Sequence, residues 1–394
     1  MKNAIVMSLA VLSTLNPQLS TVFAQGSLIP PGPPGPTMRT LEQIEPRTPI
    51  SSLPFTISQP GSYYMTTNLT SLAGNGIIIA ANGVTVDLMG FELVGTNSEF
   101  EVSGVFVSGT RTNITVRNGT VRGWKNGVNV ANAIYSSASD LHLSGNSGNG
   151  LLGGHGVLLR NCFATKNGSG LVVSNGSLVV NCVARENRGG FGILAGEAST
   201  VSDCVARSNF FGGIQVGVGC TVVNCTVTAG NSTGISAGDG STISRCTADG
   251  NSTGISTGND CNISDCTAAY NRTDGLRANN SSIIRNCTVN RNTEDGIDVG
   301  ADCQVIGNLC INNGPGDIAS GGVHTHFAGN RVEANHIVIN GQGIIVDGTG
   351  SLVIRNSARL NGANYRIAAG NTVGPGISAA EIATSSNPHA NYNH

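Results

Sequence analysis

Short runs of Val, Ile, Leu and Thr alternate with Gly, Asn and Ser throughout the stretch from Gly74 to Val373. Runs of this composition suit β-strands, and glycine recurs too often for helix interiors. The runs keep step with one another. Cysteines recur at Cys162, Cys182, Cys204, Cys225, Cys246, Cys266 and Cys287, at intervals of 20 to 22 residues. An apolar residue stands three positions before each of the last six: Val179, Val201, Val222, Ile243, Ile263 and Ile284. An asparagine column runs through Asn167, Asn187, Asn209, Asn231, Asn251, Asn271 and Asn292, and each unit closes on a glycine before an apolar residue, as in Gly275-Leu276 and Gly296-Ile297. A fixed period of this size marks a solenoid whose repeats stack on their neighbours. The pattern predicts an all-β parallel solenoid with three short strands per coil of about 21 residues, successive coils about 4.8 Å apart, and about 14 coils between Gly74 and Gly370. Asparagine suits the turns, where it tolerates left-handed backbone angles, and its side chains are expected to bond up the column as an amide ladder.

This grammar resembles the right-handed parallel β-helix of the pectate-lyase-like superfamily over roughly residues 75 to 370. The entry segment from Thr56 to Tyr64, then Ile77-Ile78-Ile79 and Val84-Thr85-Val86-Asp87-Leu88, is similar to the capping first turns of secreted bacterial β-helix proteins. Ile354 to Ser357 and Asn364 to Ala368 are similar to their closing turns. Such proteins include polysaccharide lyases, glycoside hydrolases and adhesins, so the fold does not select a function.

The resemblance to polygalacturonases is partial. Their Gly-His-Gly is present as Gly154-His155-Gly156, but it lies upstream of every acidic candidate, and neither an Asp-Asp pair nor an Arg-x-Lys follows.

The amino terminus reads as a secretory signal over residues 1–24: Lys2, an apolar core from Ala4 to Leu15, and Val22-Phe23-Ala24 before the expected cleavage. The apolar run is too short to span a bilayer, so no transmembrane segment is expected in the mature chain. Residues 25–53 form a Pro/Gly-rich spacer and lead-in, 54–373 the β-helix with its cap, and 374–394 a tail. The expected location is secreted, periplasmic or envelope-associated. A net charge of −2 with 11% charged residues excludes the basic surface of a nucleic-acid partner, and the expected state is a monomer. The cysteine column reads as a buried small-apolar position. Stacked residues of a parallel sheet point the same way, which would strain a disulfide, and no Cys-x-x-Cys metal pattern occurs.

Candidate chemistry follows from the period. Asp274 and Asp295 lie one coil apart, as do Arg277 and Asp298. Two stacked carboxylates must share a proton, gain a cation or splay apart, and a hard oxygen cluster of Asp274, Asp295 and Asp298 suits Ca²⁺. The resemblance to pectate lyases implies Arg277 or Arg272 as the base that removes a proton next to a uronate carboxylate. His324 and His326 share a strand face, which suits zinc or copper, but only a distant Asp317 offers a third ligand, so they read as structural. Arg185 and Arg207, near Phe191 and Phe211, offer cations and aromatic faces that could grip an acidic glycan. Two readings remain open: an exported scaffold or glycan-binding module with no complete catalytic set, or a polysaccharide lyase or glycoside hydrolase acting on acidic polysaccharide, with Ca²⁺ as the one candidate cofactor. Loops that break the period favour the second, and the larger irregularities lie near 92–104 and 311–326.

Overall fold

The computed structural model describes residues 46–96 and 101–394. The proposed signal segment and most of the proposed spacer lie outside them. Among the described residues there is no helix; the chain winds as a parallel solenoid with three strands per coil. One strand of each coil enters a 15-stranded sheet, and the other two enter a 30-stranded sheet that bends between them. The 15-stranded sheet begins at Phe55–Ile57 and ends at Tyr365–Ile367, one rung per coil. That is one coil more than the sequence period suggested, because the entry segment itself forms a rung. The last strand, Asn391–Asn393, pairs with Ser357–Arg359 and so joins the end of the chain to the body.

The three-residue strands explain the core. Their first and third, or only their middle, side chains point inward, so period-2 alternation makes three internal columns. The 15-stranded sheet contributes Ile235, Ile255, Leu276 and Ile297; the other sheet contributes Val222, Ile243, Ile263 and Ile284, and the smaller Val227, Ala248, Ala268 and Val289. At the first coils Trp124 is buried, and its indole nitrogen donates to the Leu93 carbonyl at 3.2 Å.

Each corner of the coil has its own polar column, and here the structure corrects the sequence reading. The Asn ladder is present: each Nδ2 donates to the next Oδ1, for example Asn167 to Asn187 at 3.2 Å and Asn271 to Asn292 at 2.8 Å. It starts at Asn146 and continues through Asn313, Asn340 and Asn361. Asn231 is not a member. Its expected rung is held by Gly230, whose amide donates to Asn251 Oδ1 at 2.9 Å, while Asn231 is exposed. The ladder residues are not left-handed either. The left-handed position is the one before, occupied by Lys166, Glu186, Tyr270 and Arg291 at φ of 55 to 57° or close to it at 53°. These side chains carry no special tolerance for that region, so the ladder bonds offset a strain of order 1 kcal/mol per turn.

All 11 cysteines are free and buried. The seven-membered column caps a second corner, with Cys182 Sγ donating to the Val180 carbonyl at 3.3 Å, and at Cys287 it hands over to Asn308, Asn335 and Asn356. A third corner alternates cysteine with serine, Cys220, Ser241, Cys261, Ser282 and Cys303, which is why those cysteines sit two coils apart. Burial pushes the Cys303 and Cys310 thiols up, away from the reactive thiolate.

Candidate functional site

The middle residue of each strand in the 15-stranded sheet faces outward. Read along the coils, this outer column runs Leu194, Gln215, Ser236, Ser256, Arg277, Asp298, His324, Ile345 and Arg366. Apolar and neutral residues give way to charge and imidazole at Arg277, Asp298 and His324; the buried Ile345 then interrupts the run before Arg366.

Arg277 lies on the strand Leu276–Ala278, directly opposite Asp298 on Ile297–Val299. Its Nε bonds Asp298 Oδ2 at 3.0 Å and its Nη2 reaches Asp274 Oδ2 at 2.6 Å. Asp274 Oδ1 accepts the Asp295 amide at 3.2 Å, and Asp295 Oδ1 accepts the Gly321 amide at 2.6 Å. His324 stands between two carboxylates, with Nδ1 3.1 Å from Asp295 Oδ2 and Nε2 2.9 Å from Asp347 Oδ2. His326 Nε2 lies 2.8 Å from Asp298 Oδ1, and the two imidazole rings are 3.9 Å apart. Asp274, Asp295 and His324 are buried; Arg277 and His326 are exposed.

Burial raises the Asp274 carboxyl to about 6, against the pull of the Arg277 guanidinium. Burial works against charge on His324, but the hydrogen bonds to Asp295 and Asp347 outweigh it and its pKa ends above the ordinary imidazole value. Asp347 is held down by its bond to His324. Burial also works against charge on Arg277, but Asp274 and Asp298 hold its proton more tightly than usual, which opposes a role as base. Arg272 is turned away: it donates to the carbonyls of Gly230 and Asn231, two coils back, at 3.0 and 3.1 Å. The Ca²⁺ reading of Asp274, Asp295 and Asp298 meets the Arg277 guanidinium already placed between two of the three carboxylates, where a hard cation would need their oxygens free.

The acidic partners of the histidines are the feature that sequence reasoning missed. Asp317 is engaged within its own loop, accepting from the Ala319 amide at 2.9 Å and the Ser320 hydroxyl at 2.7 Å. Asp295 and Asp298 were visible as a coil-spaced pair, but the next coil does not follow the period. From Asn292 to Asn313 the ladder step is 21 residues; from Asn313 to Asn340 it is 27. Most of the surplus falls in residues 314–320, so counting by 21 from Asp298 misses His324, which lies 26 residues on. The register is nevertheless direct, Asp298 opposite His324. The loop lies over the next coils, with Arg366 Nη1 donating to the Ile318 carbonyl at 3.4 Å.

Arg185 and Arg207 are opposite one another on the 30-stranded sheet, but the ring under Arg185 is Phe163, 4.8 Å from its guanidinium carbon. Phe191 starts a strand of the other sheet and packs with Phe211 at 6.3 Å. A ladder corner at Asn187 separates the two pairs, so they are two features rather than the one the sequence suggested. His336 lies on the 30-stranded sheet and does not join His324 and His326. Gly154-His155-Gly156 is a turn in which His155 is exposed.

The raised Asp274 carboxyl predicts a pH effect. An acid whose folded pKa exceeds its unfolded value of 3.8 favours the folded state below that value, and the contribution is lost as pH rises to about 6. Between pH 4 and pH 7, with chelator present, the parent should lose roughly 2 kcal/mol more than Asp274→Asn from this group. Parallel melting-temperature profiles for the two proteins would refute it.

A family model described as "Right handed beta helix region" matches residues 216–359. No curated protein matches significantly. Among solved structures, the chain is similar to the Dettilon tailspike protein at 15% identity and a TM-score of 0.37, covering 88% of this chain and 61% of that one. It is similar to the A-module of the Azotobacter vinelandii mannuronan C-5 epimerase AlgE6 at 12% identity and a TM-score of 0.39, covering 84% and 89%. The catalytic domain of a GH87 alpha-1,3-glucanase matches at 11% identity and a TM-score of 0.37, covering 88% and 63%. The chain thus spans about three fifths of the tailspike's length, and these likenesses are of fold.

Proposed function

We propose that this right-handed parallel β-helix holds a linear polysaccharide along its 15-stranded sheet, at the rungs carrying Arg277, Asp298 and His324. One observation carries the reading. The departure from the coil period between Asn146 and Asn361, residues 314–320, stands beside the buried charged cluster of that sheet. Insertions on a rigid solenoid build the walls of binding sites. A rung spacing of about 4.8 Å is close to the length of one sugar ring, so a glycan chain lying along the coils meets polar side chains at the successive rungs of Ser256, Arg277 and Asp298.

The charge balance selects among glycans. Asp274, Asp295, Asp298 and Asp347 exceed Arg277, Arg366 and a protonated His324 by one. Carboxylates accept hydroxyl protons, which suits a neutral, hydroxyl-rich chain. A uronate chain would need a cation to enter. The acid–base alternative, a lyase on an acidic polysaccharide, draws support from the placement of His324 between two carboxylates. In that reading Arg277 binds the uronate and an imidazole, not an arginine, moves the proton. A secreted or periplasmic setting fits either reading; no helix among the described residues is long and apolar enough to cross a membrane.

A glycan array carrying neutral and uronate chains tests this. Binding should fall at least tenfold in Asp298→Asn and Arg277→Met, about 1.4 kcal/mol or more, and persist in Arg207→Ala. An empty array, or binding indifferent to both site variants, would remove the proposal. An unsaturated-uronate absorbance assay on the same panel separates cleavage from binding.

A further inference from the structure

The hydrogen bonding of the two histidines has a pattern that glycan binding does not require. Each ring has its Nε2 tied to a carboxylate: His324 to Asp347 at 2.9 Å, His326 to Asp298 at 2.8 Å. A ring nitrogen that donates to a carboxylate leaves the other as the metal-binding atom, and this buttress is the usual outer shell of metal-bound imidazole. In both rings the atom so left is Nδ1. A third donor, Asp295 Oδ2, lies 3.1 Å from His324 Nδ1. Asp295 is itself oriented by the Gly321 amide at 2.6 Å. One donor atom each of Asp295, His324 and His326 falls within 4.8 Å of the others. Ligands at 2.0 to 2.2 Å from a tetrahedral ion lie roughly 3.4 Å apart. The Asp295–His324 edge is already near that value, and His326, the exposed member, has room to close.

We infer that Asp295, His324 and His326 form a site for a first-row transition ion of the zinc class, with Asp347 and Asp298 as the carboxylates that orient the two rings. Two imidazoles and one carboxylate match the chemistry of zinc rather than calcium. Three protein ligands leave a coordination position on the exposed His326 side, open to water or to a ligand's oxygen. The ion would take the place between His324 Nδ1 and Asp295 Oδ2, which lie 3.1 Å apart, and displace to solvent a proton shared there. The site stands whether or not the glycan reading does, since it needs no glycan to fill.

The test uses the full chain after chelator treatment, titrated with Zn²⁺ alone and, separately, with Co²⁺ alone. Zn²⁺ should raise the melting temperature by several degrees, Ca²⁺ at the same concentration should not, and Co²⁺ should give the visible absorption of a low-coordinate site. His326→Gln, a change at a side chain that is 40% exposed, should abolish both signals while the fold persists. Asp347→Asn should weaken Zn²⁺ binding by about tenfold or more while the fold persists. His336→Gln, on the other sheet, should leave binding unchanged. Absence of both signals in the parent, or their survival in His326→Gln, would overturn the assignment.

Discussion

Asn271→Ala is expected to lower stability by roughly 3–5 kcal/mol, which is a large effect for one neutral side chain. Asn271 Oδ1 accepts the Asn251 amide at 2.9 Å, and its Nδ2 donates to Asn292 Oδ1 at 2.8 Å and to the Ala248 carbonyl at 3.3 Å. Alanine removes these bonds and the one that Asn271 Oδ1 accepts from Asn251 Nδ2 at 3.4 Å, and it leaves the Asn251 amide buried without a hydrogen bond, at about 1–3 kcal/mol, beside the space the side chain vacates. Water has no path to that amide, because the neighbouring rungs are equally buried. Asn231→Ala is the matched control: the same residue type, close in the chain, exposed and outside the ladder, with an expected change within about 0.5 kcal/mol. Thermal unfolding of the pair measures the difference, and equal melting temperatures would show that the ladder adds nothing beyond the sheets.

Gly254→Ala is expected to cost about 3 kcal/mol by the opposite route, overpacking. A Cβ at Gly254 would run into the Gly275 carbonyl oxygen and come within 2.7 Å of Asn271 Nδ2 and 3.1 Å of Ala268 Cβ. Neither the backbone oxygen nor the bonded amide has a way to retreat without breaking a rung. The same conflict awaits at Gly275 and Gly296, which face Asn292 and Asn313. The repeating glycine is therefore the space into which the next amide fits. Gly240→Ala, where a Cβ meets nothing within 4 Å but φ is +65°, separates crowding from backbone strain. Its smaller cost, of order 1 kcal/mol, is the yardstick; equal losses at both sites would remove the crowding argument.

The winding was legible because it depends on side-chain types repeated at one interval. Val222, Ile243 and Ile263 announce an internal column, and Gly275-Leu276 announces a corner followed by a strand. What was not legible depended on single-residue offsets. Gly230 and Asn231 are equally compatible with a spacing of 20 to 22, and only the bonds choose between them. The left-handed residue before each ladder rung is hidden because Tyr270 or Arg291 can occupy it once the amide above holds the turn. At the candidate site, Asp274, Asp295, Arg277 and Asp298 could be placed together by counting coils. His324 and Asp347 could not, since residues 314–320 interrupt the count. The pairing of Arg185 with Phe163, rather than Phe191, likewise turns on which corner a side chain leaves from.

The missing amide at Gly230 divides the internal ladder into two stacks, one ending at Asn209 and one beginning at Asn251. Within a stack every amide dipole points the same way, so each bond polarises the next. That reinforcement stops at the gap. The rod therefore has a built-in fault line: under load or thermal breathing, parting begins around this coil, and the half that carries Asp295, His324 and Arg277 stays wound as a unit after the other has begun to loosen.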